Sequence, residues 1–171
     1  MAKILKAMEE NAQSLAELAR ITFIESHGSS AAPEEINKYI SLKYNSEVLR
    51  KELSKPSNIY HLIFQDDKPA GFSKIRLDEP HPGIAQKNVT KLERLYVLSK
   101  FYGMNLGVEL FNFNLHLSMM NMQAGMWLFV WKENHRAIAF YKKVGFKIIG
   151  SGDFRITETH SNPNHHMFLE Y

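Results

Sequence analysis

The residues with the most distinctive chemistry lie in a short turn at residues 103–107, which begins and ends with glycine. The turn stands between a predicted strand and a predicted long helix. Glycine lets a backbone turn sharply and bring its amide groups close to an anion. The unpaired N–H groups at the helix start face the same point, and the helix dipole adds about half a positive charge there. The turn therefore predicts an anion site that suits a pyrophosphate.

On the pattern alone, two glycines at a helix start are more often an ordinary turn. The residues Gly-Met-Asn-Leu-Gly lack the three-glycine order of a Rossmann dinucleotide site. No Lys-Ser or Lys-Thr follows them, as it would in a Walker loop. Those two kinds of nucleotide site are therefore excluded for this turn.

A longer stretch around the turn makes the interpretation more specific. The residues Leu95-Tyr96-Val97-Leu98-Ser99-Lys100-Phe101-Tyr102-Gly103-Met104-Asn105-Leu106-Gly107 resemble the coenzyme A loop of the GNAT superfamily of N-acetyltransferases. Lys100 stands in the place of the family's Gln or Arg, and Gly103 and Gly107 match glycines. Asn105 departs from the usual Gly or Ala, although Asn tolerates the left-handed backbone conformation better than most residues.

A second motif follows at the family's usual separation. Residues 127–146 are similar to the family signature Asn-x-x-Ala-x-x-x-Tyr-x-x-x-Gly-Phe, here carried by Asn134, Ala137, Tyr141 and Gly145-Phe146. The two motifs together identify the chain as a member of the GNAT superfamily. The resemblance implies that acetyl-CoA is the co-substrate, with no metal, and that an acetyl group moves to a primary amine by direct attack on the thioester. The coenzyme-binding residues that it implies are Leu95, Tyr96, Val97, Lys100, Phe101, Tyr102, Gly103, Met104, Asn105, Leu106, Gly107, Val108, Asn134, Ala137, Tyr141 and Lys143.

Amine acetylation requires a base. An aliphatic ammonium has a pKa near 10.4, so the loss of its proton at pH 7 costs about 4.6 kcal/mol. Glu93 is the candidate base, because it stands on the strand before the loop and, with regular alternation, on the same face as Leu95 and Val97. A solvated or hairpin-paired carboxylate beside Arg94 is the structural alternative.

The remaining site residues come from the resemblance. Tyr141 is the candidate acid near the coenzyme sulfur, and its alternative role is that of a core aromatic that shares a helix face with Ile138. A backbone N–H near Val97 is the implied donor to the tetrahedral oxyanion. Asn134 is expected to meet the pantetheine amides, with a helix N-cap before His135 as its alternative role.

The acceptor amine is the least determined part. Residues 21–23, 43–46, 49–53 and 92–97 resemble PaiA-type spermidine/spermine N-acetyltransferases, so a polyamine is one candidate. Peptide, protein or aminoglycoside amines are alternatives, as is a coenzyme A-binding module without catalysis. The acceptor pocket is expected from the helices within residues 33–53 and the loop at 79–90. Glu34, Glu35 and Glu52 could attract a polycation, but such charges are more often solvated.

The elements around the motifs predict an α+β fold. Strands are expected at 3–8, 59–64, 70–77, 92–98, 126–131, 146–149 and 166–171. Helices are expected at 12–24, from Pro33, at 46–53, from the loop to about 122, and at 135–143. A strand–helix–strand connection implies a parallel pair, and the hairpins imply antiparallel neighbours. The prediction is a mixed, mostly antiparallel sheet with a parallel β–α–β unit and flanking helices, in one domain over residues 1–171.

Composition places the protein among ordinary globular chains. Of 171 residues, 44% are hydrophobic and 23% charged, the formal net charge is +3, and there are no cysteines. The sequence lacks a basic block with interleaved aromatics, which would favour nucleic-acid binding. It also lacks an apolar run that would predict a membrane span or a signal peptide. We expect a cytoplasmic protein, monomer or homodimer, whose partner is a small-molecule amine. His160, His165 and His166 lack a fuller ligand set, so no metal site is predicted.

Overall fold

The structure, a computed structural model, describes all residues from 1 to 171. Its seven strands are β1 (Ala2–Lys6), β2 (Ile59–Gln65), β3 (Lys68–Arg76), β4 (Thr90–Val97), β5 (Gly125–Trp131), β6 (Lys147–Arg155) and β7 (Ser161–Glu170). Its five α-helices are α1 (Ala12–His27), α2 (Pro33–Lys43), α3 (Ser46–Leu53), α4 (Leu106–Met120) and α5 (His135–Lys143). No helix combines the length and the apolar character that crossing a bilayer would need.

The strands form one mixed sheet in the order β1-β2-β3-β4-β5-β7-β6. β4 and β5 are parallel, with Thr90 opposite Met126 and Lys91 opposite Trp127, and α4 is the crossover between them. The pairs β1–β2, β2–β3, β5–β7 and β6–β7 are antiparallel. The predicted mixed, mostly antiparallel sheet with one parallel unit and flanking helices is therefore confirmed.

Local signals explain how the helices begin. Pro33 starts α2, where its fixed φ suits the first turn and no N–H is lost. Asn45, directly before the first residue of α3, is its N-cap: the Asn45 side chain accepts the Val48 N–H at 2.9 Å. Asn is among the residues that cap helices best, so this start agrees with the helix expected at 46–53.

The last two strands are longer than predicted. The turn-like composition of Ser161-Asn162-Pro163-Asn164 suggests a loop, but these residues begin β7. Both edges of β7 are occupied there: Asn162 and Pro163 pair with β6, while Asn164 pairs with Trp131 on β5. Asn162 and Asn164 are buried. Tertiary pairing thus overrides the weak strand preference of Asn and Pro.

The chain divides into two compact units. The first comprises Met1–Ile75 and Arg94–Asn114, and the second comprises Arg76–Glu93 and Leu115–Tyr171. In the first unit Ile63, Ala70, Leu106 and Leu110 form a buried cluster. In the second unit Ile84, Val89 and Trp127 form another, with Phe168 packed against it. The expectation of one domain over residues 1–171 stays a prediction.

Side chains on β4 contact different elements along the strand. Thr90 lies 2.6 Å from the Ser118 hydroxyl on α4. Leu95 and Val97 pack against the buried cluster that contains Leu106 and Leu110. The expectation that Glu93 shares a face with Leu95 and Val97 stays a prediction.

His61 on β2 leads to a prediction about acid stability. Its side chain is buried and packs edge-on against Phe113, at 4.7 Å between ring centroids. Burial, with a smaller effect from Lys6, lowers the pKa of His61 from 6.5 to about 4. The neutral ring therefore contributes stability that is present above pH 6.5 and is lost as the pH falls through about 4.

We expect the free energy of unfolding to fall by up to about 3 kcal/mol from this group between neutral pH and pH below 4, at 1.36 kcal/mol per pK unit. Urea unfolding of wild type and His61→Gln at a series of pH values measures it. The variant should lose less stability on acidification. Parallel losses in the two proteins would assign acid sensitivity to other groups.

Candidate functional site

In the first unit, β4 ends at Val97 and leads into a tight series of turns. The Leu98 N–H donates to the Ala70 carbonyl on β3 at 2.8 Å. A 3-10 turn at Ser99–Phe101 follows, and Tyr102 N–H donates to Ser99 O at 3.0 Å. α4 then begins, and Glu109 N–H donates to Asn105 O at 3.0 Å. The predicted strand–turn–helix arrangement of the anion loop is therefore present.

The loop has amides to offer an anion. Glu109 is the first residue of α4 whose N–H reaches a helical carbonyl, so the amides of Leu106, Gly107 and Val108 donate to no other residue. The same holds for Gly103 and Asn105. Residues 102–105 are exposed, and so is the Lys100 side chain, whose ammonium lies 5.2 Å from the Phe101 ring centroid. This local geometry is compatible with a bound anion, and the pyrophosphate site stays a prediction.

Two loop residues have left-handed backbones. Gly103 has φ +85° and Asn105 has φ +60°. Asn105 thus stands in the family's Gly or Ala position in a conformation that glycine adopts freely and asparagine tolerates better than most residues. Its departure from the family pattern is compatible with the backbone of the turn.

Asn105 therefore supports a prediction about stability. We expect Asn105→Ala to lower the free energy of unfolding by about 1 kcal/mol, because alanine tolerates φ +60° less well than asparagine. Asn105→Gly should stay within about 1 kcal/mol of wild type, because relief of strain offsets the entropy of the freer unfolded chain. Urea denaturation of the three proteins measures both changes. Equal stability of the Ala and Asn forms would mean that the conformation carries no cost.

A carboxylate that sequence reasoning missed braces the start of the loop. Glu25 on α1 accepts the Ser99 N–H at 2.9 Å with one oxygen and the Ser99 hydroxyl at 2.7 Å with the other. Glu25 therefore satisfies the backbone at the point where β4 turns toward α4. The two residues are 74 positions apart, so no local pattern reveals the pair.

In the second unit, the family-signature residues lie on and before α5. Asn134 is the N-cap of α5, and its Oδ1 accepts the Ala137 N–H at 3.2 Å. The capping role considered from the sequence is thus realised, and the Asn134 Nδ2 donor makes no hydrogen bond within the protein. Lys143 is exposed in the last turn. The structure brings Asn134 and Ala137 together and places Lys143 at the opposite end of the helix.

Tyr141 is buried on α5 and packs edge-on against Phe146, at 5.5 Å between ring centroids. Its backbone carbonyl accepts the Phe146 N–H at 2.9 Å. Burial raises the pKa of the Tyr141 hydroxyl well above its usual range. The hydroxyl therefore stays protonated at neutral pH, and it can donate a hydrogen bond more readily than it can release its proton.

Glu93 lies on β4 in the second unit and is partly buried. Thr90 and Lys91, which precede it, are the residues of β4 that pair with β5. Lys91 places its ammonium 5.0 Å from the Trp127 ring centroid and 5.2 Å from that of Phe129. The strand around Glu93 is thus held on its N-terminal side by backbone pairing and by a cation over two aromatic rings.

The loop between β3 and β4 packs on strands of the second unit. Trp127 Nε1 donates to the Glu79 carbonyl at 2.7 Å. His81 Nδ1 accepts the Gly83 N–H at 3.0 Å, so the ring proton of neutral His81 is on Nε2, 3.1 Å from His166 Nδ1. His160 Nε2 lies 3.1 Å from Asn162 Oδ1. These histidines thus have structural neighbours, and no group of three or more His, Asp or Glu side chains could hold a metal ion.

Comparison with known proteins agrees with this geometry. The model of the acetyltransferase (GNAT) family matches residues 6–146. An uncharacterized N-acetyltransferase encoded in the pepI 3' region of Lactobacillus delbrueckii subsp. lactis is 27% identical over 143 residues, 84% of this chain and 83% of that protein.

Two solved structures share the fold. PaiA N-acetyltransferase from Thermoplasma acidophilum, crystallised with coenzyme A, has a TM-score of 0.79 at 22% identity, over 100% of this chain and 99% of that one. The ribosomal-protein-S18-alanine N-acetyltransferase of Escherichia coli has a TM-score of 0.66 at 16% identity, over 99% and 94%. N-acetyltransferases with different names thus share this fold, and the fold by itself does not identify an acceptor.

Proposed function

The chain belongs to the acetyltransferase (GNAT) family, and on that premise we propose that it moves the acetyl group of acetyl-CoA onto a primary amine by direct attack on the thioester. The observation that carries the donor half of this proposal is the turn at residues 103–108, where residues 103–105 are exposed. The Met104 N–H donates to Phe101 O at 3.3 Å, but the amides of Gly103 and of residues 105–108 have no protein acceptor and lie at the N-terminus of α4. A pyrophosphate bound there satisfies those amides and the positive end of the helix dipole.

The rest of the coenzyme is assigned residue by residue from the family motif. Asn134 offers its Nδ2 donor to a pantetheine carbonyl while Oδ1 caps α5. A backbone N–H near Val97 supplies a donor to the oxyanion of the tetrahedral intermediate. Lys143, exposed at the end of α5, is the remaining residue that the resemblance assigns to the coenzyme.

Two side chains divide the proton transfers. Glu93, directly or through a water, takes the proton of the ammonium, the step that costs about 4.6 kcal/mol at pH 7. Tyr141 assists the leaving sulfur. A thiol has a pKa near 8.5, so full proton transfer from a tyrosine whose pKa burial has raised is unfavourable. We therefore assign Tyr141 a hydrogen bond to the developing thiolate.

The acceptor is proposed to be a small primary amine, with a polyamine as one candidate on the resemblance of residues 21–23, 43–46, 49–53 and 92–97. Glu52 does not support the polyamine form of the proposal. Its carboxylate is engaged by Lys74 at 3.1 Å and by the Tyr60 hydroxyl, so it is not an open anionic site for an ammonium. Glu34 at the start of α2 is exposed.

A panel of amines tests the proposal. Thiol release from acetyl-CoA should be saturable with at least one of spermidine, a lysine-containing peptide, a peptide with a free α-amine, an aminoglycoside or a simple alkylamine. A tertiary amine of similar size is the matched control and should give none, because it has no proton to lose after attack. Coenzyme A binding without thiol release on every amine would favour a binding module instead.

A further inference from the structure

A half-buried cluster of charged side chains lies in the first unit. Its members are Glu52 on α3, Tyr60 on β2, Lys74 on β3 and Arg94 on β4. The side chains of Lys74, Arg94 and Glu52 are 6%, 12% and 25% exposed. One carboxylate thus connects side chains from three neighbouring strands.

The contacts converge on a single oxygen. Glu52 Oε2 accepts from Lys74 Nζ at 3.1 Å and from the Tyr60 hydroxyl, and it lies 3.5 Å from Arg94 Nη1. Arg94 Nη1 also donates to the Tyr60 hydroxyl at 2.6 Å. Burial by itself raises the pKa of Glu52, but Arg94, Tyr60 and Lys74 together lower it below its usual value. The carboxylate therefore stays ionised at neutral pH. If its charge were removed, the cations of Lys74 and Arg94 would lose the anion that they share in this cluster.

Arg94 is fixed from two directions. Its guanidinium is 5.0 Å from the Tyr44 ring centroid, in addition to the contacts with Tyr60 and Glu52. Arg94 follows Glu93 directly on β4, and the residues of β4 that pair with β5, Thr90 and Lys91, precede both. The contacts that hold the Arg94 side chain therefore act on the same stretch of backbone that carries Glu93.

We propose that Glu52 is a positioning residue for acetyl transfer, which acts through Tyr60 and Arg94 to fix the β4 backbone that carries Glu93 on one side and the Leu95–Val97 amides on the other. The inference rests on the proposed function, in which Glu93 is the base and a β4 amide holds the oxyanion. In this inference Glu52 acts only through its neighbours and has no assigned contact with the acetyl group or the coenzyme. Its loss misplaces those groups by a small amount, and small misplacements reduce rate more than binding.

Glu52→Gln tests the inference, with Glu47→Gln as the matched control. Glu47 is on the same helix, but it is exposed and its partner is Lys51, one turn along, at 3.1 Å. We expect Glu52→Gln to lower kcat at least tenfold, while the coenzyme A dissociation constant from calorimetry changes less than twofold. Glu47→Gln should match wild type in both. Assays run well below the Tm of each variant.

A double-mutant cycle with Arg94→Lys separates positioning from general support. If Glu52 acts through Arg94, Glu52→Gln should cost less than threefold in kcat in the Arg94→Lys background. Equal losses in both backgrounds would overturn the inference, as would loss of coenzyme A binding together with kcat.

If Glu52→Gln does not fold, Tyr60→Phe takes its place, because it removes the hydroxyl between Glu52 and Arg94 without a change of charge. A folded Tyr60→Phe with wild-type kcat would overturn the inference equally.

Failure of this inference is distinguishable from failure of the proposed function. A slow Glu93→Gln with a wild-type rate in Glu52→Gln would leave the base assigned and remove only the positioning role. A wild-type rate in Glu93→Gln would remove the base, and the positioning role that depends on it, whatever Glu52→Gln does.

Discussion

Glu93→Gln is expected to lower kcat/KM at pH 7 by about 10²–10⁴-fold, the usual contribution of a positioned general base. The variant keeps the size and hydrogen-bonding shape of the side chain but cannot accept the ammonium proton. Coenzyme A affinity should change little, because the proposed phosphate contacts are the amides of Gly103 and of residues 105–108. Initial rates of thiol release, with calorimetry for the coenzyme, measure the two quantities.

Tyr141→Phe is the comparison that makes this result specific. Its loss is expected to be about 2- to 12-fold, the range for one neutral hydrogen bond, because the buried hydroxyl donates a bond and does not give up its proton. Raising the pH should partly rescue Glu93→Gln, since solvent then supplies more free amine. A wild-type rate in Glu93→Gln at pH 7 would place the base elsewhere. A larger loss in Tyr141→Phe would mean that the sulfur limits the rate.

Gly103→Val is expected to weaken coenzyme A binding at least tenfold, or about 1.4 kcal/mol. Gly103 has φ +85°, a conformation that a β-branched residue rarely adopts, so the turn must rearrange. No protein atom lies within 4 Å of a Cβ built at Gly103. Strain in the backbone and crowding of the anion, and not a clash with the protein, are therefore the expected causes. Calorimetry on the folded variant measures the affinity.

Gly107→Ala separates those two causes. Gly107 lies in the first turn of α4, and its added Cβ would meet only Val97 Cγ2, at 4.0 Å. Alanine also favours a helix over glycine by about 1 kcal/mol, so the protein should be as stable as wild type or more stable. Reduced coenzyme A affinity in this variant would report crowding at the anion itself. Gly150→Ala, whose Cβ would meet nothing closer than 3.9 Å, is the control. Unchanged affinity in both Gly103→Val and Gly107→Ala would contradict the placement of the pyrophosphate.

Local signals predicted the parts of the fold that depend on neighbouring residues. Pro33 opens α2, and α5 occupies residues His135–Lys143, as the sequence indicated. The start of β7 was missed, because Asn162 and Pro163 belong to a strand through their pairing with β6. The sequence pattern shows the turn preference of Asn and Pro, but it does not show that a neighbouring strand is available to pair with them.

The candidate site divides in the same way. The loop at residues 103–107 could be predicted, because glycines, a strand end and a helix start are contiguous in the chain. The brace from Glu25 to Ser99 and the cluster around Glu52 could not, because each joins residues from separate elements.

The most direct test of the central claim follows the acetyl group itself. Acetyl-CoA with an isotopically labelled acetyl group is incubated with the protein and the amine panel, and mass spectrometry measures the label on amine and on protein. Direct transfer predicts labelled N-acetyl amine in a one-to-one ratio with released thiol, and no labelled protein at any time. Label that appears first on a protein side chain would contradict direct attack on the thioester. Bound coenzyme with no labelled amine on any member of the panel would contradict acetyl transfer altogether.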